Sequence, residues 1–402
     1  MTAATTITTP AVRARPKNAL SELNATFHEL GFHRKLTGKI LFEGVFMVTL
    51  MCGGIIIFFE YHSWWVKAFA LWFSSLGLLA ITTNAHSSAH YATSDKRWLN
   101  WTLQLVEYGF FIGLSATYWR NKHVVVHHPT PNVVGLDDDI DLLPWFALDE
   151  KAFNEAKGFK RWWFEHQWYL VPIIINFNAL NLLHSSYKFL WKALRNPKER
   201  RALHWIDLGL VLAHYAVFMF LPMLWFPPLY CVAFWVVRYF GAGWAIFIAF
   251  APAHFPAEAL FLSKGNKDRA EYLRNRDFVL LQCATTCNIR TTWFGNLFCG
   301  GTDYQIEHHL FPGISHPHYP KMAPYVKRWC EEHGYPYRTV GMLEGFWKSW
   351  MAFRYPKPLR ETEEVSRLMV EEAQRAFIEQ GQLAAARLLG GEPARELADY
   401  TM

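Results

Sequence analysis

Four charge-poor stretches set the first limit on what this chain can fold into. Gly44 to Phe59, "GVFMVTLMCGGIIIFF", lies between Glu43 and Glu60 and with its flanks approaches the roughly 20 residues that cross a bilayer as a helix. Ala68 to Ala85 follows after a short turn, and Leu208 to Phe226 and Leu229 to Phe250 repeat the arrangement around Pro227-Pro228. Adjacent prolines lack donors and restrict the backbone, which favours a turn there. The pattern predicts an all-α integral membrane protein with four transmembrane helices in two hairpins. Composition agrees: 52% of residues are apolar and only 18% charged, below the roughly 25% of soluble domains.

Two further runs are ambiguous. Trp101 to Trp119 contains Gln104 and Glu107, and Trp168 to Trp191 contains Pro172 and several Asn; each either crosses or lies at the interface. Positive charge favours four crossings. Arg34, Lys35 and Lys39 precede the first strong span, and Lys188, Lys192, Arg195, Lys198, Arg200 and Arg201 precede the third. The positive-inside bias places the amino terminus, the basic segment and everything after Phe250 in the cytoplasm. Arg238, inside the fourth run, is expected to snorkel or pair, and His214 to be packed or hydrogen-bonded.

The chain divides into a flexible tail and interfacial segment over 1–40, a membrane domain over 41–330, and a soluble helical extension over 331–402. "MTAATTITTPAVRARPKNALSE" reads as a tail without a signal peptide, and the mixture of charged and apolar residues after Arg360 predicts an amphipathic helix. The net charge of +6 is scattered, so it points to an anionic lipid surface and not to nucleic acid. Six cysteines form no Cys-x-x-Cys pair, and Cys283 and Cys287 read as packing residues.

The histidines carry the chemistry. "HSSAH" places His86 and His90 four apart at the end of the second run, and "HVVVHH" repeats that spacing in His123 and His127, with His128 about 100 degrees further around a helix. "QIEHHLFP" adds Gln305, His308 and His309, and His254 stands just beyond the fourth run. With four crossings, all of these groups fall on the cytoplasmic side. They exceed the four ligands of one structural zinc, so a cytoplasmic helical cap with a histidine-rich site for two metals is the better fit. Imidazole suits iron, zinc, copper and nickel alike: oxygen chemistry on a lipid would select iron, hydrolysis zinc. His316 and His318, among prolines and glycine, read as loop or headgroup-contacting residues.

These three boxes resemble those of the membrane fatty-acid desaturases, especially the branch whose third box begins with Gln. The resemblance covers about residues 40 to 325 and includes Asn132, Asp137, Asp139 and Pro144 in "HHPTPNVVGLDDDIDLLP"; Ser87, Ser88 and Ala89 depart from the usual interior of the first box. It implies that His86, His90, His123, His127, His128, His308 and His309 ligate two iron ions, with His254 as an additional ligand. Gln305 would contact iron weakly, hold a metal water or orient an imidazole. Asp137 and Asp139 would hydrogen-bond ligand N–H groups; Glu307 would do the same or form a surface salt bridge.

The implied reaction uses dioxygen and two electrons to insert a double bond into the acyl chain of an acyl-lipid or acyl-thioester. With no cytochrome b5-like, dinucleotide-binding or iron–sulfur pattern in the sequence, electrons are expected from a separate ferredoxin, cytochrome or reductase. A related di-iron hydroxylase or ketolase acting on a lipid, carotenoid or alkane is the main alternative, and a noncatalytic zinc-binding scaffold the other. The expected location is a bacterial cytoplasmic membrane, with both termini and the metal site cytoplasmic; the endoplasmic reticulum is the other possibility.

Overall fold

The computed structural model describes residues 19–368 and 371. Helices dominate, and among the described residues four are long and apolar enough to cross a membrane: Thr37–Glu60, Trp64–Ala89, Ala202–Leu224 and Pro228–His254. Three residues separate the first from the second. The third relaxes to π and then 3-10 geometry over Ala216–Phe220 and Leu221–Leu224 before Pro228, capped by Pro227, starts the fourth. Large side chains such as Phe42, Trp64, Trp72, Leu212 and Leu229 remain exposed on these helices, as expected of surfaces that face hydrocarbon.

Small residues bring the first two helices together. A Cβ at Gly77 would stand 2.7 Å from Met51 N, and one at Gly54 would stand 2.7 Å from Ala70 O. Close backbone approach through small residues is the usual packing device where lipid removes the hydrophobic drive between helices. Gly243 does the same for the fourth helix, where a Cβ would collide with Ile175 O.

Neither ambiguous run is one uninterrupted helix. The first comprises Arg97–Gln104 and a π-helical stretch, Leu105–Ile112, then reverses at Gly113 (φ 77°) before Ala116–Trp119 and the π-helical Arg120–His127. The second breaks at the 3-10 segment Ile175–Phe177, between Gly158–Ile174 and Asn178–Arg195. Arg238 does not snorkel: it is buried, with its guanidinium 5.4 Å from the Tyr239 ring. His214 is hydrogen-bonded, its Nδ1 2.8 Å from Phe110 O.

The remaining helices gather at one end of the long ones. Short parallel strands tie them together: Val133–Val134, Phe261–Ser263 and Leu359–Arg360 form one sheet in that order, and Asn288–Arg290 pairs with Thr339–Gly341. Ala19–Glu29 packs here, burying Leu23 and Phe27 beside Phe311 and Met322. Met342–Met351 lies against the fourth long helix, with Phe346 near Phe247. Cys283 and Cys330 stand 4.0 Å apart within the apolar cluster. The sequence-predicted amphipathic helix lies outside the described residues beyond 368, apart from 371.

The close helix contact predicts an inverted glycine effect. Alanine ordinarily stabilises a helix over glycine by about 1 kcal/mol, but Gly77→Ala is expected to cost about 1–3 kcal/mol through overpacking against Met51. Gly53, with nothing within 4 Å of its Cβ position, is the control. Thermal melts in detergent should show Gly77→Ala lowered and Gly53→Ala unchanged or raised; a raised Gly77→Ala curve would contradict the packing.

Candidate metal centre

Four segments deliver the histidines to one place. His86 lies in the last turn of the second long helix and His90 caps it, while His254 ends the fourth. His123, His127 and His128 ride the π-helical stretch, and Gln305–Leu310 is a short helix that carries Gln305, His308 and His309. All eight histidines are buried.

They divide into two groups. His86, His90, His123, His128 and His308 form one, and His127, His254 and His309 the other; within each group the ligand atoms lie within 4.8 Å of one another. The pairing on the second box differs from the sequence expectation. His123 shares its group with His128, because the backbone bonds five residues apart and His128 N–H donates to His123 O at 3.0 Å, while His123 also stands within the same reach of His127 and Asp139. A π-helical turn thus brings His128 beside His123, while His127, stacked on His123, also reaches the second group.

The geometry of the first group fits a cation. Nε2 of His86 lies 2.6 Å from Nε2 of His123, and Nε2 of His128 lies 3.1 Å from that of His123 and 3.0 Å from that of His308. His90 Nε2 is buried with no hydrogen-bond partner. Two imidazole nitrogens bound at right angles to one ion, each at about 2.1 Å, would stand about 3.0 Å apart. In the second group Gln305 Nε2 is placed 2.8 Å from His254 Nε2 and 3.2 Å from His309 Nε2, while its Oε1 is buried and unpartnered. Turning the amide over would aim its oxygen at the same point, giving three imidazoles and a carbonyl oxygen.

Hydrogen bonds on the far side of the rings select the nitrogen that faces inward. His127 Nδ1 donates to Asp137 Oδ2 at 2.9 Å and lies 3.3 Å from Asp139 Oδ2. His309 Nδ1 donates to Gln282 Oε1 at 2.7 Å, and the same Gln282 donates from Nε2 to His128 O. Each bond fixes the tautomer that leaves Nε2 free. Gln282 went unnoticed in the sequence, although it is the one strongly polar side chain in the helix "FVLLQCAT". Asn132, held at φ 53°, donates its amide to His254 O and Thr285 O and its backbone N–H to Asp137. Lys357, also missed, donates to the carbonyls of His254, Pro256 and Ala259.

Other sequence candidates sit elsewhere. Glu307 bonds neither an imidazole nor a surface cation: its buried carboxylate accepts from Tyr337 and Asn288. Burial pushes it up to about 7 against those two donors. His316 is buried and not a headgroup contact, because it bridges Ser87 Oγ at 2.8 Å and Glu43 Oε2 at 3.1 Å. His318 lies 3.0 Å from Arg34 O, and Asp139 pairs with Lys122 at 2.7 Å.

Burial holds His90, His123, His128, His308 and His309 well below the ordinary imidazole value, and neighbouring imidazoles push the same way. They stay neutral with lone pairs available, the form that binds metal. Burial also opposes charge on His127, but Asp137 and then Asp139 carry the net shift upward.

A cavity of about 880 Å³ reaches His123, His127, His254 and Gln305. Its walls include Val171, Ile174, Ile175, Phe247 and Phe250, and its polar rim includes Lys122, Asp138 and Asp141. Asn178, Asn181 and Ser185 line it along one stripe of their helix, which explains the polar interruptions in that apolar run.

Two outcomes follow from these contacts. Asp137→Asn or Gln282→Ala should weaken metal binding by about 10–100-fold, read by competition with a chelator; unchanged affinity would remove the orienting role. Lowering pH should destabilise chelator-treated protein. The unfolded chain takes up protons near pH 6.5 while the five native imidazoles remain neutral, so the unfolded state binds more protons and gains stability as pH falls. His127 has the opposite sign but is one group against five. The melting temperature should therefore drop between pH 7.5 and 5.5, and a flat profile would count against this electrostatic picture.

The sequence profile of the fatty acid desaturase family matches residues 62–341. Among similar proteins, fatty acid desaturase 3 of Homo sapiens is 30% identical over 260 residues, which cover 64% of this chain and 54% of that protein. Delta(6)-fatty-acid desaturase fat-3 of Caenorhabditis elegans is 26% identical over 347 residues, 82% of this chain and 72% of that one. The sn-1 linoleoyl-lipid 6-desaturase of Arthrospira platensis is 28% identical over 284 residues, 68% and 73% respectively. The match thus spans about half the length of the human relative. With more than half its length matched by the family profile and its histidines gathered in two buried groups, the chain belongs to the fatty acid desaturase family.

Proposed function

We propose that this chain is an oxygen-dependent fatty-acid desaturase that inserts a double bond into an acyl chain with externally supplied electrons. One observation carries the reading: an apolar cavity ends against imidazoles of both histidine groups. A pair of adjacent methylenes, O2, two electrons and two protons give a carbon–carbon double bond and two waters. His86, His90, His123, His128 and His308 would hold one iron, and His127, His254 and His309, with Gln305, the other. Bound there, the pair supplies the dioxygen reduction and hydrogen abstraction that side chains cannot perform.

The remaining work falls to the protein. Ile174, Ile175, Phe247 and Phe250 remove methylenes from water, at roughly 0.8 kcal/mol each, and hold the chain extended past His127 and His254. Bond position then depends on which carbon pair rests at those rings. Asp137 and Gln282 keep two of the rings oriented while the substrate occupies the cavity. The name of the Arthrospira relative refers to a lipid-linked acyl group, which supports an acyl-lipid over an acyl-thioester carrier.

The four apolar helices form two membrane hairpins in this reading, with the metal centre and both termini cytoplasmic in a bacterial inner membrane. Residues 1–40, 41–330 and 331–402 serve as amino-terminal segment, catalytic body and carboxyl-terminal extension. The exposed basic side chains of Lys188, Lys192, Arg195, Lys198, Arg200 and Arg201 supply a positive face for an acidic donor such as a ferredoxin.

Expression with a compatible electron donor under oxygen, followed by mass analysis of lipid acyl chains, tests the proposal. Loss of two hydrogens is expected for the intact chain and no new product for His308→Ala. Gain of one oxygen would identify a hydroxylase instead, and identical profiles under demonstrated electron supply would reject both.

A further inference from the structure

The third long helix gives no histidine to either group, yet it places a buried carboxylate under the segment that carries three. Asp207 is 0% exposed. Its Oδ1 accepts from Ala116 N–H at 3.0 Å, and its Oδ2 accepts from Thr117 N–H at 3.0 Å, Ser115 Oγ at 2.7 Å and Thr117 Oγ1 at 2.6 Å. Ser115 Oγ in turn accepts from Tyr118 N–H. The carboxylate is therefore solvated by two backbone N–H groups and two hydroxyls, all at the start of one helix.

That helix runs without a break from Ala116 through Trp119 into the π-helical Arg120–His127. The N–H groups of a first helical turn lack intrahelical partners, and a negative charge there is favoured by the helix dipole. An ordinary cap comes from the adjacent residue and travels with its helix. Asp207 comes from a different helix, so its bonds fix where the capped helix sits along its axis and how it is rotated.

We propose that Asp207 is a positioning residue for the metal centre: it sets the height and rotation of the 116–127 helix so that His123 and His128 meet one histidine group and His127 the other. This rests on the metal-binding reading above. Asparagine cannot replace it without conflict, because its amide NH2 would face Thr117 N–H or Ala116 N–H, donor against donor. Glutamate keeps the charge and all four acceptor directions but adds a methylene, which displaces the helix.

The test uses full-length protein loaded with iron or, as a spectroscopic probe, cobalt(II). Asp207→Asn and Asp207→Glu should bind metal about 10–100-fold more weakly and shift the cobalt ligand-field bands. With an electron donor supplied, kcat should fall by up to about 10²-fold while KM for the acyl substrate stays within twofold. Phe59→Ala, in the apolar cluster with Cys231 and Phe234 and on a helix that carries none of the histidines, is the control for general destabilisation and should keep the wild-type spectrum. If Asp207→Asn does not fold, Thr117→Val removes one donor and should show the same spectral shift at smaller scale. Wild-type metal affinity and spectrum in Asp207→Asn, or in Thr117→Val where that is the variant measured, would overturn the proposal. Failure of the unmodified chain to take up two metals would overturn the function reading instead.

Discussion

Eight buried imidazoles crowded around two points are the constraint around which this molecule is arranged. A single buried histidine is satisfied by one or two hydrogen bonds. Nitrogens about 3 Å apart with lone pairs directed at shared points cannot all satisfy one another, and His90 Nε2 is left with no partner. Such crowding is costly without a cation to accept those lone pairs. The rest of the fold supplies what makes the crowding tolerable: Asp137, Gln282 and Tyr319 on the outer edges of the rings, and rigid elements beneath them.

Those elements belong to chain segments far apart in sequence, so their convergence depends on the lengths of the apolar helices. His86 and His254 end the second and fourth long helices, and the two meet at one level only because each helix has the length it has. Close contact at Gly54 and Gly77 locks the first pair, and Gly243 seats the fourth helix over the break at Ile175. Contacts between helices and chemistry at their ends are thus one problem in geometry. Lys357 and Asn132 show the same economy, since both bind the carbonyl of His254 that the helix end leaves exposed.

Much of this was legible in the sequence because hydrophobic length and histidine spacing are local properties. The four long helices and both members of the first box follow from them, whereas the bond of Asp137 to a ligand ring was implied by the family resemblance. What escaped was set by long-range packing or by unusual backbone. The four-residue spacing of His123 and His127 suggested a shared face, to which a π-helical ladder also brings His128. The Trp101–Trp119 run conceals a reversal at Gly113 beside His214. Gln282, Lys357 and Asp207 each act through a partner ninety or more residues away, and no local pattern announces such a pairing. His316 looked like a loop residue from its proline neighbours, yet tertiary structure buries it between Glu43 and Ser87.

The π-helical stretch has a consequence for how this chain can vary in length. Along Arg120–His127 the assignment of rings to the two groups depends on the count of residues per turn. Inserting or deleting one residue there would rotate His127 and His128 off their groups together, and no adjustment of side-chain rotamers could bring both back. The turn between Ile140 and Trp145, which forms part of the cavity rim, faces no such arithmetic and can lengthen or shorten while the rings stay in place. Divergence in substrate preference is therefore expected to accumulate as length changes around the rim, next to a stretch whose residue count is frozen.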